Sequence, residues 1–244
     1  MTLGLQKSWL FFLLLIIYKS GVALTINKNE FSFVNKTMVE TITKTPSSIT
    51  HFFDKNKSAL IQSLGQEFAN LSTNDYKIIF SSIVAYKLKP YGPCTTLTLK
   101  GLLNSKTIHC GCYAALTWHL YSLLKPDTKK NHVYFVGWSK GKVCEHTQLF
   151  YTSKQVNLLL DPTIALVAKT TFSEVASGKP INLSKIISGY SRHDIDEFNR
   201  IVIEALILGQ YKPSDLLDYF QTFKQFSQPP PTYEWATPQS EYYT

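Results

Sequence analysis

Apolar residues recur at helical spacing twice before the middle of the chain. Leu60, Ile61, Leu64 and Phe68 fall at i, i+1, i+4 and i+8, and after the start signal Ser72-Thr73-Asn74 the residues Tyr76, Ile79, Phe80 and Ile83 do the same. Two amphipathic helices are therefore predicted between Ser47 and Tyr86. Lys89-Pro90-Tyr91-Gly92-Pro93 then breaks helix, because two prolines and a glycine fall within five residues. Beyond Gly111 neither Gly nor Pro interrupts the chain up to Leu124, and Cys112, Leu116, Leu120 and Leu123 mark one face of a buried helix with Cys110 at its N-terminus.

Strand patterning follows. His132 to Trp138 is rich in Val, Tyr and Phe, and Glu145 to Tyr151 and Gln155 to Leu160 read as two more strands across the turn Thr152-Ser153-Lys154. Beyond Asp161-Pro162-Thr163 a return to helix is predicted. Ser191 to Asp194 resembles a capping box, followed by Ile195, Phe198, Ile201, Val202 and Leu206, and a last helix starts at Ser214. The fold class is α+β. The expected organisation is a signal segment (1–23), an N-terminal helical segment (24–73), a core (74–165), a C-terminal helical extension (166–226) and a Pro- and aromatic-rich tail (227–244).

Composition narrows the function classes. At 244 residues, 44% hydrophobic and 14% aromatic, the chain can bury a sizeable core, which excludes a disordered or collagen-like protein. Its 25 Lys and Arg against 17 Asp and Glu are scattered, and no basic stripe interleaved with aromatics marks a nucleic-acid partner. Lys7 precedes a wholly apolar run from Trp9 to Tyr18, and Gly21 and Ala23 supply the small residues of a cleavage site, so export is expected, to a secreted or periplasmic location. An apolar run of that length spans about 15 Å, half a bilayer core, so stable membrane insertion after cleavage is not expected.

Export gives weight to the four cysteines, Cys94, Cys110, Cys112 and Cys144. In an oxidising compartment they could form two disulfides in three connectivities. Cys144 shares a strand face with His146 and could pair with Cys94 or Cys112. A zinc set of Cys110, Cys112, Cys144 and His146 is disfavoured, because a one-residue gap that opens a helix splays the two thiols. No metal and no cofactor is expected.

Three residues stand in chemical order: Cys110 at a helix start, His146 in one strand and Asp161 at the end of the next. A thiol at a helix N-terminus beside an imidazole ionises at lower pH and becomes a nucleophile. The imidazole can then protonate a leaving group, and a carboxylate on its other nitrogen fixes its tautomer. Cys112 is a rival nucleophile, but residues two apart in a helix point about 200° away from each other, and Cys112 lies on the leucine face. His109 beside Cys110 and the other histidines, His51, His119, His132 and His193, are assigned no chemistry.

Cys110-Gly111-Cys112-Tyr113-Ala114, Val136-Gly137-Trp138, His146-Thr147 and Leu160-Asp161-Pro162-Thr163 together resemble the core of the transglutaminase-like superfamily, in particular its peptide N-glycanase type. The resemblance covers roughly residues 74–165. It implies a papain-like core with a Cys-bearing helix on an antiparallel sheet, and a catalytic triad of Cys110, His146 and Asp161 acting on amide bonds of a protein or peptide. Hydrolysis through a thioester acyl-enzyme is the leading expectation; transfer of the acyl group to an amine, or a non-catalytic peptide-binding role, are the alternatives. The chain departs from the family pattern at Ile108, Gln148 and Asn157, where glycine, an aromatic and tryptophan are usual.

Overall fold

The structure, a computed structural model, describes residues 29–127, 131–140, 143–177 and 179–189. The expected signal segment, the helices expected beyond Ser191 and the tail at 227–244 lie outside the described residues.

Among the described residues five α-helices precede Cys110 or carry it. Helix α1 (Lys36–Lys44), which the hydrophobic pattern did not single out, is capped by the Asn35 side chain and buries Met38 and Ile42. Helix α2 (Ile49–Leu64) ends at Gly65, whose φ of 75° suits a residue without Cβ. Helix α3 (Thr73–Leu88) starts from a reciprocal capping box between Ser72 and Asp75. Short helix α4 (Leu99–Asn104) and helix α5 (Cys110–Leu123) follow. Helix α5 is apolar almost all round, and it is covered by α3 on one side and by the sheet on the other.

The sheet is an antiparallel meander in chain order: β1 (His132–Lys140), β2 (Val143–Thr152), β3 (Asn157–Asp161), β4 (Leu166–Lys169) and β5 (Ile186–Ile187). The turn into β3 is tied by Ser153 Oγ, which accepts from Gln155 N and Val156 N. The mixed helix and sheet content is α+β.

One expectation is corrected. Residues 166–226 were assigned to a helical extension, but Leu166–Lys169 is a strand paired with β3, and Ile186–Ile187 pairs with β4 in turn; only Phe172–Ala176 (α6) is α-helical among the described residues of that range. Leu166-Val167-Ala168 is too short an apolar run for its periodicity to separate helix from strand. An edge of β3 that needs backbone partners decides the matter. The sheet therefore continues past the boundary drawn at residue 165.

The core forms where the helices meet the sheet. Phe80 of α3 stacks on Phe33 at 6.1 Å and meets Phe53 edge-on at 5.5 Å. A buried polar link joins the same layers: Tyr151 of β2 donates its hydroxyl to Asp75 Oδ1 at 2.7 Å, and Tyr121 of α5 stands edge-on to the Tyr151 ring at 6.2 Å. Burial, reinforced by the Asp75 carboxylate, raises both phenols above their ordinary value, so they remain donors. Among the described residues no helix is long and apolar enough to cross a membrane.

Candidate active site

Cys110 is the first residue of α5, and its N-cap, His109, does not cap the helix with its side chain. The first-turn N–H groups therefore point out of the helix end, and their partial positive charge favours a thiolate there. Ile108, the residue before the cap, is pinned by a parallel bridge to Tyr91, with Gly92 N donating to Ile108 O at 3.1 Å and Ile108 N to Pro90 O at 3.1 Å. That contact requires glycine at position 92: a Cβ there would lie 2.8 Å from Thr107 Cβ.

The sheet supplies the other two residues. Strands β2 and β3 pair Leu149 with Leu160, and one further step in that register sets Asp161 opposite Gln148, with His146 next along the same face. His146 Nε2 donates to Asp161 Oδ2 at 2.6 Å, and both side chains are fully buried. The imidazole also interacts with Cys110, and with Nε2 committed to the carboxylate Nδ1 is the nitrogen left to serve the thiol. The structure thus brings Cys110, His146 and Asp161 into one line of contacts across α5, β2 and β3.

Charge follows from that line. Burial alone would push the Cys110 thiol up, but hydrogen bonds from His109 and His146 and their positive charge hold it down at about 5. Burial also opposes charge on His146, and it is overcome by the Asp161 carboxylate and then by Cys110, which raise the imidazole to about 10. For Asp161 the balance has the same form: desolvation raises it, while His146, Gln148 and Thr163 hold it below the usual carboxylate range. A thiolate–imidazolium pair is the resulting resting state between those limits.

Three residues at this site were not foreseen. Gln148 Nε2 donates to Asp161 Oδ2 at 2.7 Å, and Thr163 donates both its backbone N–H, at 3.0 Å, and its hydroxyl to Oδ1. Gln148 stands where the resembled family usually has an aromatic, and its place two residues after His146, on the same strand face, was the available signal. His109, assigned no role from sequence, hydrogen-bonds Cys110 and brings its Nε2 to 3.5 Å from Cys112 Sγ. Gln148→Leu removes one hydrogen bond to a buried charge and is expected to lower stability by about 1.5–3 kcal/mol in urea unfolding, with Cys110 still the residue alkylated in the folded chain.

Cys112 points the other way. It forms a disulfide with Cys94 on the loop between α3 and α4, which takes it out of contention as nucleophile in the oxidised chain. The same loop is fastened along α5 on both sides of that bond: Tyr91 stacks on Tyr113 at 6.3 Å, and His119 Nε2 donates to Leu97 O at 2.8 Å. Cys110 and Cys112 therefore serve opposite sides of one helix, and the zinc set that joined them with His146 does not converge.

A cavity of about 240 Å³ opens beside this region, with Tyr86, Leu88, Tyr91, Tyr113 and Thr163 in its wall. Tyr113 lies one turn beyond Cys110, and Thr163 holds Asp161. Searches of family models and of curated proteins gave no match to this chain.

Proposed function

We propose that this protein is a cysteine enzyme of the transglutaminase-like type that hydrolyses amide bonds in an exported compartment, with a protein or peptide as substrate. The observation that carries the reading is the ordered contact from the helix-start thiol of Cys110 through His146 to a buried, fourfold hydrogen-bonded Asp161. A buried imidazolium–carboxylate pair is expensive to maintain for stability alone. Set against a lone buried thiol, it has a chemical use.

In this reading the Cys110 thiolate attacks an amide carbonyl, and the oxyanion is met by first-turn N–H groups of α5. The His146 imidazolium protonates the departing amine, which leaves a thioester on Cys110. His146, now neutral, takes a proton from water as water attacks the thioester, and the acid is released with the thiolate restored. Asp161 keeps Nε2–H directed at itself and Nδ1 at the sulfur throughout. Gln148 and Thr163 hold the carboxylate in that orientation.

The test is a library of fluorogenic peptide amides offered to the folded chain, with a labelled primary amine added in parallel. Release of the fluorophore that is lost in Cys110→Ala supports hydrolysis. Release with the labelled amine, rather than water, found on the peptide acyl group would move the assignment to acyl transfer, and turnover that survives Cys110→Ala would overturn it.

A further inference from the structure

The loop side of α5 carries a second cluster of donors, which meets the line that runs to the sheet at His109. One ligand atom each from Cys94, His109 and Cys112 lies within 4.8 Å of the other two. His109 Nε2 is 3.5 Å from Cys112 Sγ. Around a tetrahedral zinc, with Zn–S of about 2.3 Å and Zn–N of about 2.0–2.1 Å, the nitrogen–sulfur edge is about 3.6 Å. The carbonyl oxygen of Thr96 faces the same point, 3.2 Å from Cys94 Sγ and 3.5 Å from Cys112 Sγ. Cys94 and His109 are half-buried, so the cluster is open to an ion from solution.

We propose that reducing the Cys94–Cys112 disulfide creates a zinc site with Cys94 Sγ, Cys112 Sγ and His109 Nε2 as ligands. The fourth position falls to the Thr96 carbonyl or a water. Two thiolates and an imidazole suit a borderline-soft d10 cation rather than magnesium or calcium.

The chemistry balances with an external dithiol as the reductant. One of its thiolates attacks a sulfur of the Cys94–Cys112 bond, the bond breaks, and a mixed disulfide forms; its second thiolate then resolves that link and leaves as a cyclic disulfide. The two electrons remain on the protein as two thiols. Each thiol gives up its proton when it binds the ion, so two protons are released per zinc.

Cys110 supplies no ligand, although it touches the cluster through His109, which also hydrogen-bonds its sulfur. Metal binding is read without any reaction at that residue, so the test does not require Cys110 to be a nucleophile.

Cobalt serves as the probe, added to untagged chain that has been reduced with a water-soluble phosphine, which takes up oxygen from water and leaves the same two thiols. Expected are one Co²⁺ per chain, the visible bands of a tetrahedral ion, thiolate-to-metal absorption in the near ultraviolet, and bleaching by one equivalent of Zn²⁺. The oxidised chain should show none of these. His109→Ala and Cys94→Ser should each weaken binding at least tenfold, whereas Cys110→Ser should bind as the parent does. His109→Gln gives the same information should His109→Ala fail to fold. A spectrum unchanged in the His109 variants, its loss in Cys110→Ser, or no tetrahedral spectrum in the reduced parent would each overturn the proposal.

Discussion

Iodoacetamide at pH 6 is expected to label the folded chain at Cys110, with a rate that rises through about pH 5, and His146→Ala is expected to slow that labelling by up to about eightfold. The first limit is the depressed thiol value at this residue. His109 still holds the thiol down when His146 is removed, so a full return to about 8.5 is the limiting case: the ionised fraction at pH 6 would then fall from about nine-tenths to about 0.3%, a factor of about 300. The more basic thiolate is intrinsically faster by about 40-fold on a Brønsted slope of about 0.45, which leaves the net factor at about eight. Amide turnover needs the imidazolium as well, so it should fall again as pH rises through about 10, where His146 loses its proton.

Stability follows the same window. The depressed Cys110 value contributes stability that is lost as pH falls through about 5, and the raised His146 value contributes stability that is lost as pH rises through about 10. Measured by peptide mapping of the alkylated chain across pH, a labelling profile centred near 8.5 and indifferent to His146→Ala would refute the ion pair.

The largest loss of stability is expected at Asp75, far from any reacting atom. This fully buried carboxylate accepts from Ser72 N at 2.8 Å and from the Tyr151 hydroxyl at 2.7 Å, so it closes a helix cap and anchors α3 to β2 together. Asp75→Ala removes a cap of about 1 kcal/mol and leaves a buried phenol without its acceptor, at about 1–3 kcal/mol more. A total near 3 kcal/mol should lower the melting temperature by about 6–12 °C for a protein of this size. Tyr151→Phe should be milder, and the double variant should cost less than the sum of the two, by about 1–2 kcal/mol, since the orphaned hydroxyl is then gone. Strict additivity in thermal melts would show that Asp75 and Tyr151 are not coupled.

Much of this arrangement was readable from the residues in order. The absence of breakers after Gly111 located the start of α5, and the Thr152-Ser153-Lys154 turn located the hairpin, because helix period and turn chemistry are local properties. The hairpin is enough to set His146 beside Asp161, and the helix start places Cys110 at an end that must still dock onto the sheet. What escaped is what depends on partners distant in sequence. The pairing of Cys94 with Cys112 was one of several open connectivities. The strand at Leu166–Lys169 exists because β3 offers it an edge. Gln148 and His109 gain their roles only once a carboxylate and two sulfurs lie within reach.

The meander order of the sheet bears on how the protein comes of age during synthesis. Every strand pairs with its neighbour in sequence, so the hairpin that joins His146 to Asp161 closes over fifteen residues and can form early, as local pairings do. Cys110 reaches that hairpin only when α5 docks onto the sheet. Until then its sulfur has neither an ordered helix end behind it nor an imidazolium beside it, and it behaves as an ordinary thiol. An activated thiol at this position is thus a property of the docked helix and sheet together, not of the local sequence around Cys110.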